Sequence, residues 1–380
     1  MRLPNFIGGS CTEHSLNLAT ERSLNVYPHQ VQGGLGKNAF ALYHVPCYRI
    51  FARLTNQGAI RGLFEINGRC VGVAGEVFFE LNALGVPTIH GPVVEDLNPA
   101  SICSNGTGGN QVFIVSGGEG YIFDLSTDTL TQISDPDFPS GQAIMGAFVD
   151  SYFLVLNGET GVWQISALLD GLIWDALDIA QTSHSPDLTR ALVVDNRQVW
   201  LPGRGTTGVW YNSGEGDFPF EPTQNQIAQG IVAPFTAQRL DNSLLWLGRN
   251  EHGAGVLYRA QQFLPIRVST HAVEHIWATY DTLEDAIAYT EQWMGHSFYH
   301  LLFPAAETAP DPENRVTWVY DIATNLWHER AILDSTSGLL RPDVGRCHCY
   351  AFEKHLIGDR RTGAVYEARA DVFDDELVVA

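Results

Sequence analysis

Between Ile266 and Arg330 the spacing of apolar positions changes once, and that change sets the fold. Val273, Ile276, Trp277 and Tyr280 recur at i, i+3, i+4 and i+7 behind Ser269 and Thr270, which can cap a short helix. From Ala286 the period falls to two: Ile287, Tyr289, Glu291 and Trp293 share one face, and Ala288, Thr290 and Gln292 the other. Met294-Gly295-His296 turns the chain, and Ser297 to Phe303 returns as a second strand. Pro304 to Asn314 carries three prolines, cannot continue a ladder and loops out. Arg315 to Ile322 gives a third strand, Thr324-Asn325 a turn and Leu326 to Ala331 a fourth. Four short antiparallel strands in succession predict one blade of a β-propeller.

The same unit recurs along the chain as an apolar strand, a Gly or Asn turn and a second strand. Arg69–Val73 pairs with Val77–Leu81, and Gln111–Val115 with Gly120–Leu125. Ser151–Leu156 turns at Asn157-Gly158, the strongest short hairpin signal, to meet Gly161–Ile165. Gln198–Leu201 precedes Gly208–Tyr211, and Leu244–Leu247 precedes Gly255–Arg259. Phe298–Phe303 meets Val316–Tyr320, and His355–Ile357 meets Ala364–Glu367. These turns fall near residues 75, 117, 157, 203, 251, 309 and 360, a beat of roughly 40 to 60 residues, which fits propeller blades and not the shorter spacing of a sandwich. The expected fold is therefore all-β, a β-propeller of six or seven blades over 46–370. Residues 1–45, glycine-rich and polar, cannot build a core alone and read as an arm that packs on another element or subunit. Ile173–Ile179 reads as an outer blade strand, and Asp217–Pro222 as a proline-kinked loop reaching toward a neighbour.

Composition narrows the function. At 380 residues, with 45% hydrophobic residues, 37 Gly and 18 Pro, the chain can bury a large core and make many turns. A formal charge of −21 argues against a sequence-independent grip on nucleic acid, which needs clustered Lys and Arg. Beside DNA such a surface repels phosphates, so it suits a conduit better than a clamp; an acidic surface can equally serve solubility alone. Six scattered cysteines (Cys11, Cys47, Cys70, Cys103, Cys347, Cys349) lack framework spacing and read as free thiols in a reducing compartment. Met1-Arg2-Leu3-Pro4 leads into no long apolar run, and no window is apolar enough to span a membrane, so neither a secretory leader nor membrane insertion is expected.

The ordered strings STHAVEHIW (269–277), LEDAIAYT (283–290), GHSFYHLLFP (295–304), TWVYD (317–321), NLWHER (325–330) and LIGDRRTGAVYE (356–367) resemble the packaged-DNA stabilisation, or tail hub, proteins of short-tailed bacteriophages. LPNFIGGS at 3–10 and ATERSLNVYP at 19–28 are similar to that family's start, so the resemblance runs from Leu3 to Tyr366. It implies a structural virion component of the tail, assembled in the host cytoplasm. By the same resemblance the arm would contribute to a β platform domain, of which 371–380 would be the start of an incomplete C-terminal part. The implied partners are other copies in a six-fold ring, the head–tail adaptor and portal, and tail needle, nozzle or tailspike proteins. Genomic DNA would pass through the channel without specific binding. The alternative is a carbohydrate-binding or glycosidase-like tail protein on the same scaffold.

No chemistry-bearing motif displaces that reading, so no catalytic, cofactor-binding or metal residue is expected. Cys347-His348-Cys349 near His355 invites zinc, but Cys-x-Cys on a strand puts both thiols on one face, where they serve as small hydrophobes. His271, Glu274 and His275 spell His-x-x-Glu-His without the second long helix such a site needs; His296 and His300 lie in the same unit. Glu284-Asp285, Asp311 with Glu313, and Asp374-Asp375 are carboxylate pairs of the sort any acidic chain contains, and no Asp-box turn accompanies them. Gly-rich 105–110 and 203–208 lack a Walker lysine and read as blade turns, and Asn105-Gly106-Thr107 is a sequon without a secretion signal. The tryptophans, Trp163, Trp200, Trp210, Trp246, Trp318 and Trp327 among them, sit at strand positions and read as wedges between blades.

Overall fold

In the computed structural model the described residues are 8–12, 20–30, 40–106, 108–181, 187–216, 218–250, 252–334 and 337–378. They form seven antiparallel sheets, each a blade, and two short hairpins. Blades 1 to 3 span Ile60–Pro92, Ser101–Gln132 and Ala143–Ala180. Blades 4 to 6 span Val193–Ile227, Gln238–Arg267 and Ile287–Pro342, the last with a fifth strand at Leu340–Pro342. Blade 7 takes three strands from Gly345–Arg369 and its outermost from Cys47–Arg53, which pairs antiparallel with Ala364–Arg369. Cys47–Arg53, the first strand within 46–370, thus belongs to the last blade. Closure with a strand from the other end of the domain leaves no unpaired seam in the ring.

First and second strands are joined, in every blade but the second, by two residues that both have positive φ: Asn67-Gly68, Asp150-Ser151, Asn196-Arg197, Asp241-Asn242, Met294-Gly295 and Phe352-Glu353. Such turns match the twist of the strands they connect, and Asn, Asp and Gly tolerate them best. Asn157-Gly158 is no such turn. Asn157 Oδ1 accepts from the amides of Glu159 and Thr160, both at 3.0 Å, and the loop runs on to Val162. The asparagine side chain, not a left-handed pair, sets that bend.

Apolar side chains pack between neighbouring blades rather than at one centre. One cluster joins blades 3, 4 and 5 around Trp163, Trp200 and Trp246; another joins blades 5 and 6 around Trp277, Trp318 and Trp327. Trp277 comes from the helix His271–Trp277, whose N-cap Thr270 accepts from the Val273 amide. Blades 7 and 1 meet through Leu63, Phe79 and Leu356, and blade 6 meets blade 7 through Tyr48, Tyr289 and Tyr366. Cys47, Cys70, Cys103, Cys347 and Cys349 are free thiols, with the buried Cys70 and Cys349 sulfurs 3.6 Å apart.

One expectation about the loops changes. Residues 218–222 do not reach outward: Phe220–Ile227 is the outer strand of blade 4, and Phe218 and Phe220 lie edge-on to Trp163 at 5.3 and 5.4 Å. Asp217 lies outside the described residues. The aromatic demand of the blade 3–4 wedge outweighs the prolines, which an edge strand tolerates. The described parts of the N-terminal stretch dock on blade 6 of their own chain: the Ser10 amide donates to Trp327 O, the Asn25 amide to Glu329 O and the Glu329 amide to Ser23 O, with Leu24 bridging Glu329 in parallel. The hairpin Val26–Gln30/Phe40–His44 buries Tyr27 against Phe298 and His328.

Candidate functional site

The first strand of every blade lines the axis, and three adjoining cavities follow these strands. At their N-terminal ends lies a cavity of about 470 Å³, reached by Asp96, Ser116, Glu159, Arg190 and Arg204. A narrower space of about 270 Å³ follows, walled by Arg61, Met145, Phe235 and Arg346. At the C-terminal ends a cavity of about 720 Å³ opens between blades 5, 6 and 7, lined by Asp241, Glu291, His348, Tyr350 and His355 among others. The axis of the single propeller therefore carries both signs of charge.

The widest cavity holds the densest chemistry. Glu291 points from the first strand of blade 6 toward blade 7, with 2% of its surface exposed. His348 Nε2 lies 3.1 Å from His355 Nδ1, and His355 Nδ1 lies 3.6 Å from Glu291 Oε1. Burial of Glu291 opposes its charge, but His300, His348 and Arg330 outweigh burial and hold the carboxyl below its ordinary range. Burial pushes His348 down to about 4 and lowers His355 as well, so both rings are neutral at neutral pH. Glu291 Oε1 has no hydrogen-bond partner although it is buried. Such a group is costly unless it does something.

On the same face of this strand pair, where Trp293 opposes His296, a histidine relay ties the N-terminal hairpin to blade 6. His296 Nδ1 donates to Asp321 Oδ2 at 2.8 Å, since a carboxylate can only accept, which leaves Nε2 to accept from His29 Nδ1–H, also at 2.8 Å. Next to it His328 is buried against Tyr27 and Phe298, and burial first, then His300, Arg330 and His296, hold its pKa well below the ordinary value. The unfolded ring binds a proton near pH 6.5 and the folded ring only far below that, so between these values the unfolded state holds more protons. Stability should therefore fall as pH drops below about 6.5. The urea midpoint is expected to be lower at pH 5 than at pH 7.5, and His328→Phe should flatten that dependence. His348 and His355 shift the same way, so only the difference between wild type and variant reports on His328. Equal slopes for both would remove His328 from the account.

The other candidates separate. Cys347 and Cys349 face blade 1, away from His348, and burial pushes the Cys347 thiol up to about 12. Glu274 is spent on Arg267 and on Ser269 Oγ at 2.6 Å, while His271 meets the same arginine, so His-x-x-Glu-His assembles no ligand set. Asp285 accepts from the Ala305 amide, Asp311 caps Glu313, Asp374 pairs with Arg49, and Asp375 accepts from the Tyr48 amide. Glu284 meets Arg249 at 3.5 Å, so these carboxylates serve different loops and bound no common cleft. Glu291 was missed, although an acid on a face otherwise made of Ile287, Tyr289 and Trp293 was the available signal.

Seven blades, closed by the chain's own N-terminal strand around an axial cavity, define the class as a seven-bladed β-propeller. The chain belongs to the phage stabilisation family described as "Bacteriophage P22 Gp10, beta-propeller", whose model matches residues 9–372. That is the family the strings at 269–277 and 356–367 resemble, and it makes the chain a phage stabilisation protein. A search of curated proteins by sequence returned no match. Among solved structures the fold is similar to the extracellular domain of the one-component system BT4673 from B. thetaiotaomicron, with TM-score 0.54 and 9% identity. That match covers 85% of this chain and 40% of that one, so the chain spans well under half of that relative. Virginiamycin B lyase from Staphylococcus aureus is similar at TM-score 0.54 and 9% identity over 84% and 98% of the two chains. The N-terminal domain of Nup159 gives 0.50 and 9% over 92% and 99%. At such identities the likeness is one of fold alone. Among the described residues no helix is long and apolar enough to cross a membrane.

Proposed function

We propose that this protein is a tail hub of a short-tailed phage, assembled in the host cytoplasm and carried in the virion. In this reading copies form a six-fold ring beneath the portal and its adaptor, close the filled head, retain the packaged genome and carry needle, nozzle or tailspike proteins. The arm and 371–380 would contribute to a platform beside the propeller. DNA would pass the assembled ring without specific binding, repelled by acidic walls within a screening length of about 10 Å at 0.1 M salt.

The family match over 9–372 carries this proposal. A surface feature supports it: the outer strand of blade 3, Asp170–Ala180, and the turn before it expose Leu168, Leu169, Leu172, Ile173, Leu177 and Ile179, with Leu177 84% exposed. An apolar edge strand of that length invites association unless a partner covers it. The bulges that shift its register against Trp163–Ala167 turn several of these side chains away from the blade.

The test is symmetry and copy number in the particle. Cryo-microscopy of tails is expected to show six copies, and Leu172→Asp with Leu177→Asp should leave the monomer folded while particles fail to retain DNA. One copy per particle, or full retention in that variant, would sink the proposal. The isolated protein should also leave duplex DNA unshifted at physiological ionic strength; submicromolar, salt-sensitive binding would point to a clamp.

A further inference from the structure

We propose that Glu291, His348 and His355 form a binding site for one divalent transition-metal cation of the Zn²⁺ type. Glu291 Oε1, His348 Nε2 and His355 Nδ1 would be the ligands, with the remaining positions open to the axial cavity. The three side chains come from blades 6 and 7 and bring one ligand atom each to within 4.8 Å of one another.

Two of the three separations match a metal's first coordination sphere, and the third lies within 4.8 Å. Bonds of about 2.0–2.1 Å in tetrahedral array place ligand atoms about 3.3 Å apart. The separations of 3.1 Å between the two ring nitrogens and 3.6 Å between His355 and the carboxylate bracket that value. A hydrogen bond between the histidines accounts for the first distance but not for the second. It leaves Glu291 Oε1 buried without a partner. A cation satisfies all three atoms together.

The protonation states suit the same purpose. Neutral imidazoles and an ionised carboxylate are the forms that bind metal, and the surroundings favour each of them. The His348 ring stacks on that of His355 at 5.3 Å, and Trp293 and Tyr350 lie edge-on to His355 at 4.7 and 4.9 Å, so both rings are already oriented. Two nitrogens and one oxygen select Zn²⁺, Co²⁺ or Ni²⁺ over Mg²⁺ or Ca²⁺, which want oxygen alone. The cation would also pin the first strand of blade 6 to the first two strands of blade 7.

The experiment uses the full chain, stripped with EDTA and titrated at pH 7.5 with Co²⁺ and then Zn²⁺. Saturable binding of one equivalent of Co²⁺, with the visible bands of a four- or five-coordinate ion and displacement by Zn²⁺, is expected. His348→Ala and His355→Ala should each weaken Co²⁺ binding roughly a hundredfold or more, and His271→Ala should change nothing. Zn²⁺ should shield His348 and His355 of the wild-type protein from diethyl pyrocarbonate, a readout that survives if either variant fails to fold. Only the pale octahedral spectrum of free Co²⁺, or wild-type affinity in a variant carrying both His348→Ala and His355→Ala, overturns the proposal. So does carbethoxylation of both rings that Zn²⁺ does not slow.

Discussion

Arg330→Met is expected to cost about 3–5 kcal/mol in urea unfolding, because it strips the partner from a buried carboxylate. Arg330 sits 4% exposed on the fourth strand of blade 6, and its Nε lies 3.2 Å from Asp343 Oδ2. A second nitrogen donates to Pro46 O at 2.6 Å, and the guanidinium lies 4.3 Å from the centre of the Tyr48 ring. Tyr48 in turn donates to Asp343 at 2.6 Å. Three segments thus meet on one charge: blade 6, the connector into blade 7, and the N-terminal strand that closes the ring. Burial works against the Arg330 charge, but Asp343 and its neighbours outweigh burial and hold the guanidinium pKa above its ordinary value. Removing the cation alone leaves Asp343 with Tyr48 as its side-chain donor. Arg330→Met with Asp343→Leu should recover much of the loss, since an apolar pair replaces a buried ion pair cheaply. A double variant as unstable as the two single costs added together would show that the two groups do not act as a pair.

Arg61→Met should cost a similar ~3–5 kcal/mol by a different route. This arginine, 1% exposed on the first strand of blade 1, holds the crossing from blade 1 to blade 2. It donates to Asn98 O at 3.0 Å, to Gly75 O and Val94 O at 3.2 Å, to Ser116 Oγ at 2.8 Å, and to Asp96. Five acceptors converge on this one side chain. Burial lowers the guanidinium pKa below its ordinary value, yet the group stays charged. Arg61→Lys should fall between, because a point charge with three donors cannot reproduce the fork. Hydrogen exchange is expected to rise at the amides of 94–100, which follow this side chain. Unchanged exchange there, with stability lost, would place the damage elsewhere.

Local signals wrote most of the fold into the sequence. The central hairpin of every blade was legible because its strands are buried on both faces and read as short apolar runs. The blade beat followed from the turns between them. What stayed hidden depends on distance along the chain. Nothing within Cys47–Arg53 says that it belongs beside Ala364–Arg369, and the outer strand of blade 4 looked like a loop because prolines and acids are tolerated at an edge. The site hid for the same reason. His348 and His355 are neighbours through one hairpin, whereas Glu291 arrives from another blade. The cysteines that flank His348 drew attention to the wrong face.

The closing strand also dictates an order of events during synthesis. Blade 7 holds only three of its strands until Cys47–Arg53 joins them, and Asn25 cannot meet Ala331 until the chain has grown far past it; the two are 306 residues apart. Contacts at such separation fold slowly, since the loop must close before anything rewards it. Until then Ala364–Arg369 offers a free edge, and the Cys47–Arg53 strand of a second copy fits it as well as the chain's own. Refolding at high concentration should accordingly yield strand-exchanged dimers that dilution resolves only through unfolding.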